Sequence, residues 1–197
     1  MSVVGITGGI STGKTTFCKA SRAIVPAKFF DADEAARALT QNDEEVKGLI
    51  RAAFGREIYS ATGDLNRGQL RAIVFADTEK KRALEQILHP RIRRQWSIEA
   101  ESRRNSADLF LADIPLLYET GGETLCDRVV VVACSAAMQL RRLMARASID
   151  RSVAEQMIAS QMPLAEKIKR ADHVVWNNGG LEVLTAQARS LVALWQK

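Results

Sequence analysis

The residues best suited to chemistry lie close to the start of the chain. Gly8-Gly9-Ile10-Ser11-Thr12-Gly13-Lys14-Thr15 satisfies the spacing G-x-x-x-x-G-K-[ST]. Glycines in such a loop let the backbone close around phosphates, while successive amides and the positive end of a following helix complement their charge. Gly9, Ser11, Thr12, Gly13, Lys14, Thr15 and Thr16 are therefore the nucleotide-binding candidates. Lys14 is placed to reach the β- and γ-phosphates, and the Thr15 hydroxyl to bind magnesium. An accidental glycine-rich turn is disfavoured because a strand-like run precedes the loop and a helical run follows it. The loop calls for a nucleotide but does not choose a reaction.

Carboxylates and arginines narrow the choice. Asp113 ends the apolar run Leu109-Phe110-Leu111-Ala112, the place where a phosphate-loop fold puts its second magnesium-organising carboxylate, and that role is preferred over a loop cap. Asp33 follows the second strand-like run. A carboxylate there can take the proton of an attacking hydroxyl or cap the helical stretch from Glu34, and the residues alone leave both open. Asp31 is the better cap. Arg141, Arg142 and Arg146 fall on a helical stretch. The i, i+4 spacing puts Arg142 and Arg146 on one face, from which a planar cation can close over a phosphoryl group, although a solvated face is the plainer reading. His89, before Pro90, reads as structural by itself.

The elements that must position these groups alternate. Strands are expected at 3–7, 27–30, 109–113, 129–132 and 174–176, with a helix at 15–23 after the loop. Between 34 and 104 the pattern is helical, broken at Gly55, Gly63 and Asn66. A second helical stretch, 136–170, holds a Ser152/Glu155 capping-box spacing and a helix start at Pro163. The fold class expected is α/β, a three-layer phosphate-loop fold with a central parallel sheet and helical insertions. One unit is expected, with its core at about 1–33, 107–135 and 171–197. An acceptor-binding region at about 34–106 and a lid at about 136–170 complete it.

Composition sets the outer bounds. A formal charge of +5 favours an anionic partner, but no nucleic-acid motif or aromatic platform accompanies it. Cys18, Cys126 and Cys134 are too few and too scattered for a disulfide framework and read as reduced core thiols. Neither a signal peptide nor a membrane-spanning run is visible, so a cytoplasmic location without a membrane partner is expected. The basic stretch Arg91, Arg93, Arg94 to Arg103-Arg104 reads as a wet helix face with Trp96 turned inward.

Taken in order, VGITGGISTGKTT, FDADEAAR, GREI, LNRGQLRAIVFAD, LHPRI, DIPLLYE, VVVVACS, ASQM and KRADHVVWNNG resemble the dephospho-CoA kinase family over nearly the whole chain. The resemblance implies transfer of the ATP γ-phosphoryl to the ribose 3′-hydroxyl of dephospho-CoA, with magnesium as cofactor. It makes Asp33 the catalytic base and gives Lys14, Arg141 and Arg146 catalytic roles. It puts Asn177 near the ATP base, and Arg67, His89, Leu116 and Glu119 around the acceptor. A monomer or weak homo-oligomer is expected. Two positions depart from the family pattern: Ser11 stands where glycine is usual, and Ala147 where aspartate often follows the lid arginine. The competing readings are another phosphate-loop kinase of small molecules and a nucleotide-dependent switch. The second lacks an NKxD segment, and Ile-Pro-Leu follows Asp113 in place of DxxG.

Overall fold

The computed structural model describes residues 3–103 and 109–195. Among these, five strands form one parallel sheet: β1 (Val3–Gly8), β2 (Lys28–Asp31), β3 (Phe110–Asp113), β4 (Arg128–Ala133) and β5 (His173–Trp176), in the order β2-β3-β1-β4-β5. The expected strands are all present. Parallel strands need crossovers that cover both sheet faces, which is why β1, β3 and β4 read as unbroken apolar runs and are almost wholly buried.

On one face Val4, Ile6, Leu111, Val130, Val132 and Val175 pack with Phe17 of α1 (Lys14–Ile24) and with Leu184, Ala188, Val192 and Trp195 of α9 (Leu181–Trp195). The other face is so closely covered beside β1 that a Cβ on Gly5 would lie 2.6 Å from Cys126 Sγ and 2.8 Å from a Leu117 methyl. All three cysteines are free thiols, and Cys18 and Cys134 are buried.

The stretch 136–170 divides into α6 (Ala136–Ala147), α7 (Arg151–Ala159) and α8 (Leu164–Arg170), with Ser148 in the left-handed region at φ 51° ending α6. The expected Ser152/Glu155 capping box is not formed. Asp150, a strong helix starter, takes the cap position two residues earlier, so Ser152 lies within α7 and Glu155 pairs with Arg151 at 2.8 Å. Pro163 does stand at the start of α8.

Residues 1–31 with 99–197 form one compact unit, and residues 32–98 a second. The second comprises α2 (Ala32–Asn42), α3 (Glu44–Phe54), α4 (Arg67–Ala76) and most of α5 (Thr78–Arg103). Its core is Leu39, Val46, Ile50, Phe54, Ile58, Tyr59, Leu65 and Leu70. The expected breaks are its punctuation. Gly55, at φ 96°, ends α3, Gly63 turns the following loop, and Asn66 caps α4 by accepting from the Gln69 amide at 3.0 Å. Trp96 is buried as expected, and Arg91 pairs with Glu45 at 2.5 Å, while Arg104 lies outside the described residues. No helix among the described residues is long and apolar enough to cross a membrane.

Candidate active site

Residues 8–13 leave the end of β1 and turn sharply into α1. Thr12 closes the turn, its amide and hydroxyl both donating to the Gly9 carbonyl, at 3.3 and 2.9 Å. Gly13 takes φ 97° at the cap of α1, a conformation that L side chains rarely adopt. Ser11 also sits in the left-handed region, at φ 59°, and its buried Oγ has no hydrogen-bond partner among the described residues. The departure from glycine thus falls where the loop does demand a positive φ.

Lys14 opens α1, and its ammonium pairs with Oδ1 of the buried Asp113 at the end of β3. Parallel pairing explains the meeting, because β1 and β3 are neighbours with Ile6 opposite Asp113. The second oxygen of Asp113 accepts from the Cys18 thiol at 3.2 Å, and burial together with this carboxylate pushes the thiol pKa well up. Cys18 is thus held protonated as a donor. Thr15 and Thr16 are exposed in the first turn of α1, whose leading amides have no intrahelical acceptors. A lysine, a carboxylate and exposed hydroxyls at a helix N-terminus form a site for a phosphate chain with a hard cation.

Side chains remote in sequence brace the loop. Asn177, buried after β5, donates from Nδ2 to the Thr12 carbonyl at 2.9 Å, and its own carbonyl accepts from Arg142 at 3.0 Å. Its amide therefore grips the loop backbone. Gln139 of α6 donates to the Ile10 carbonyl at 2.9 Å, and Gln161 accepts from the Ile10 amide at 3.0 Å. Lys167 of α8 reaches the Gly8 carbonyl at 3.4 Å. Gln139, Gln161 and Lys167 were missed in the sequence. Their one signal was polar residues recurring in an otherwise amphipathic helical stretch.

The arginines separate in place. Arg141 is exposed, approaches the Met138 sulfur at 3.0 Å, and lines an open cavity of about 900 Å³ with Leu140, Met144, Arg151 and Glu155. Arg146 is exposed in the last turn of α6 and forms no ion pair among the described residues. Ala147 instead packs on the apolar cluster of Leu143, Ala154 and Met157.

Of the acceptor candidates, Leu116 is half-buried and Glu119 is engaged, its Oε1 meeting Lys167 at 2.9 Å and the Met162 amide at 3.0 Å. Asp31, the last residue of β2, stands opposite Asp113 in the sheet register. Two residues further, Asp33 is exposed in the first turn of α2. Asp31 directly precedes that helix. Arg67 is exposed at the start of α4, and His89 is half-buried in α5, where burial lowers its pKa below the ordinary value.

Comparison with known proteins agrees with this geometry. The family profile described as Dephospho-CoA kinase matches residues 2–182. A dephospho-CoA kinase of Geobacillus kaustophilus is 40% identical over 98% of this chain and 96% of its own length. One of Anaeromyxobacter dehalogenans is 42% identical over 98% and 92%. A crystal structure of a Thermus thermophilus protein superposes with a TM-score of 0.75 at 34% identity, covering 98% of this chain and 97% of that one.

Proposed function

The chain belongs to the dephospho-CoA kinase family, and from that premise we propose how its residues carry the reaction. The protein is an ATP-dependent kinase that phosphorylates the ribose 3′-hydroxyl of dephospho-CoA in coenzyme A synthesis. The observation that carries the assignment is the match over residues 2–182, which spans both the phosphate loop and the helical unit.

In the proposed step the 3′-oxygen of the acceptor attacks the γ-phosphorus while its proton passes to the Asp33 carboxylate. The bond from the γ-phosphorus to the β,γ-bridging oxygen breaks, and its electron pair leaves with ADP. Asp33 suits the role because it is exposed and lies two residues beyond the end of β2. Lys14 neutralises the β- and γ-oxygens once nucleotide replaces Asp113 as its partner, and the loop amides other than those of Ile10, Thr12 and Thr16, which donate within the protein, hold the phosphate chain. The exposed Thr15 hydroxyl and the Asp113 carboxylate are oxygen donors suited to Mg²⁺, which when bound would neutralise charge on the phosphates. Arg141 and Arg146 supply cations from α6 to the transferring group. Arg67, His89, Leu116 and Glu119 serve the acceptor side. Asn177 acts through the loop backbone as well as beside the base.

The test follows CoA and ADP from ATP, magnesium and dephospho-CoA, with Lys14→Ala and Asp33→Asn variants beside the parent. Equal CoA and ADP are expected, lost by about 10²–10⁴-fold in Asp33→Asn, which still binds ATP. ADP without CoA would overturn the acceptor, and an Asp33→Asn variant of parental rate would remove the base.

A further inference from the structure

Lys167 of α8 is fully buried, a state that lysine almost never adopts unless its charge is met. Three acceptors meet it. Its Nζ lies 2.9 Å from Glu119 Oε1, 3.0 Å from the Pro115 carbonyl and 3.4 Å from the Gly8 carbonyl. Burial lowers its pKa, while the Glu119 carboxylate works in the opposite direction.

Those acceptors belong to two chemically distinct segments. Gly8 ends β1 and begins the phosphate loop. Pro115 and Glu119 follow β3, whose last residue, Asp113, pairs with Lys14. Both segments are tied further by the same neighbourhood. Thr7 donates to the Pro115 carbonyl at 2.9 Å, Glu119 accepts from the Met162 amide, and Gln161 holds the Ile10 amide. Residues 161–167 thus grip the loop at Gly8 and Ile10 and the post-β3 segment at Pro115 and Glu119.

We propose that Lys167 is a positioning residue for phosphoryl transfer, its buried ammonium locking the start of the phosphate loop to residues 115–119 so that Lys14 and Asp113 keep their register around bound nucleotide. Glu119 is then its counter-ion, in addition to any contact with acceptor. The ammonium is fully buried while Glu119 stays partly open to water, and a neutral side chain of similar length would leave the two carbonyls and the carboxylate without their common donor. Charge and reach matter together, and arginine retains the charge. The inference rests on the kinase reading for its rate arm, while its binding arm stands without it.

The experiment compares the parent, Lys167→Met, Lys167→Arg and Glu119→Gln with Ile50→Ala, a destabilised control in the helical unit. ADP affinity with magnesium is measured by calorimetry at a temperature where each is folded. kcat and the KM for ATP are taken at saturating dephospho-CoA, and melting curves accompany both. Lys167→Met is expected to bind ADP about tenfold more weakly, with kcat lowered about tenfold or more. Lys167→Arg is expected to recover most of both, and Ile50→Ala to lose melting temperature while keeping the parent's ADP affinity. Parental ADP affinity and kcat in a folded Lys167→Met variant would overturn the proposal. If Lys167→Met does not fold, Glu119→Gln decides: ADP binding weakened threefold or more supports the lock, and unchanged affinity overturns it. A parent that forms no CoA defeats the kinase reading but leaves the ADP comparison to decide on Lys167.

Discussion

In the helical unit, local sequence punctuates the fold: Asp43 accepts from the Val46 amide and Asn66 from that of Gln69, each three residues away. At the phosphate loop the fixing contacts come from Gln139, Gln161, Lys167 and Asn177, which lie between 129 and 165 residues from their partners. The helical unit buries an apolar cluster with water-facing ion pairs around it, among them Arg82–Glu79. The loop instead surrounds its backbone with buried polar side chains. The first arrangement tolerates small shifts because dispersion contacts are many and individually weak. The second holds specific carbonyls and amides in place, as required of a loop that must present its amides to phosphates.

That contrast breaks most visibly at Ile50, fully buried among Val46, Phe54, Ile58 and Leu70. Ile50→Ala is expected to cost about 2–5 kcal/mol in urea unfolding through lost transfer energy and the cavity left behind. Its ADP affinity, measured on folded protein, should equal the parent's. A parallel loss of affinity would show that the loop depends on the helical core. Asn177→Ala tests the opposite case. Removing the amide that meets the Thr12 carbonyl should weaken ADP binding about tenfold, with a stability cost of only about 1–3 kcal/mol from the unpaired carbonyl. Unchanged ADP affinity would show that the loop keeps its shape without this brace.

The same contrast explains what could be read in the sequence. Strand runs, the loop spacing, and the Gly55, Gly63 and Asn66 breaks are local signals, and each stands where expected. The pairing of Lys14 with Asp113 follows once a parallel sheet is assumed, because Asp113 ends the strand beside β1 and Lys14 opens the helix that the loop after β1 leads into. The bracing by Gln139, Gln161 and Lys167 was not legible, since a glutamine or lysine in or beside a helix carries no mark of the backbone it will meet across the fold. The capping box at Ser152 was misread because α7 begins two residues earlier, with Asp150, an equally suitable residue, at the cap position.

Ser11 was legible as a departure from the usual glycine, and it gives a smaller test on the loop side. Glycine at φ 59° relieves a left-handed cost of about 1–2 kcal/mol, offset by about 0.4–1 kcal/mol through the greater freedom of unfolded glycine. Ser11→Gly should therefore stabilise the nucleotide-free protein by up to about 1.6 kcal/mol in urea unfolding. Destabilisation would show that the Ser11 side chain contributes packing worth more than the strain.

The smallest effect returns to the helical unit. His89 is half-buried in α5, and burial, the first cause, holds its pKa below 6.5, with Lys81 acting in the same sense and Glu85 against it. The unfolded chain then binds more protons at this site than the folded one between the lowered value and 6.5. Stability accordingly rises with pH through that window and is lost as pH falls below about 6.5. His89→Gln removes the titration, so its unfolding free energy should fall less steeply than the parent's as pH is lowered from about 7 to 5. Urea unfolding at matched ionic strength measures both slopes. Parallel curves would mean that His89 is as well solvated in the fold as in the unfolded chain.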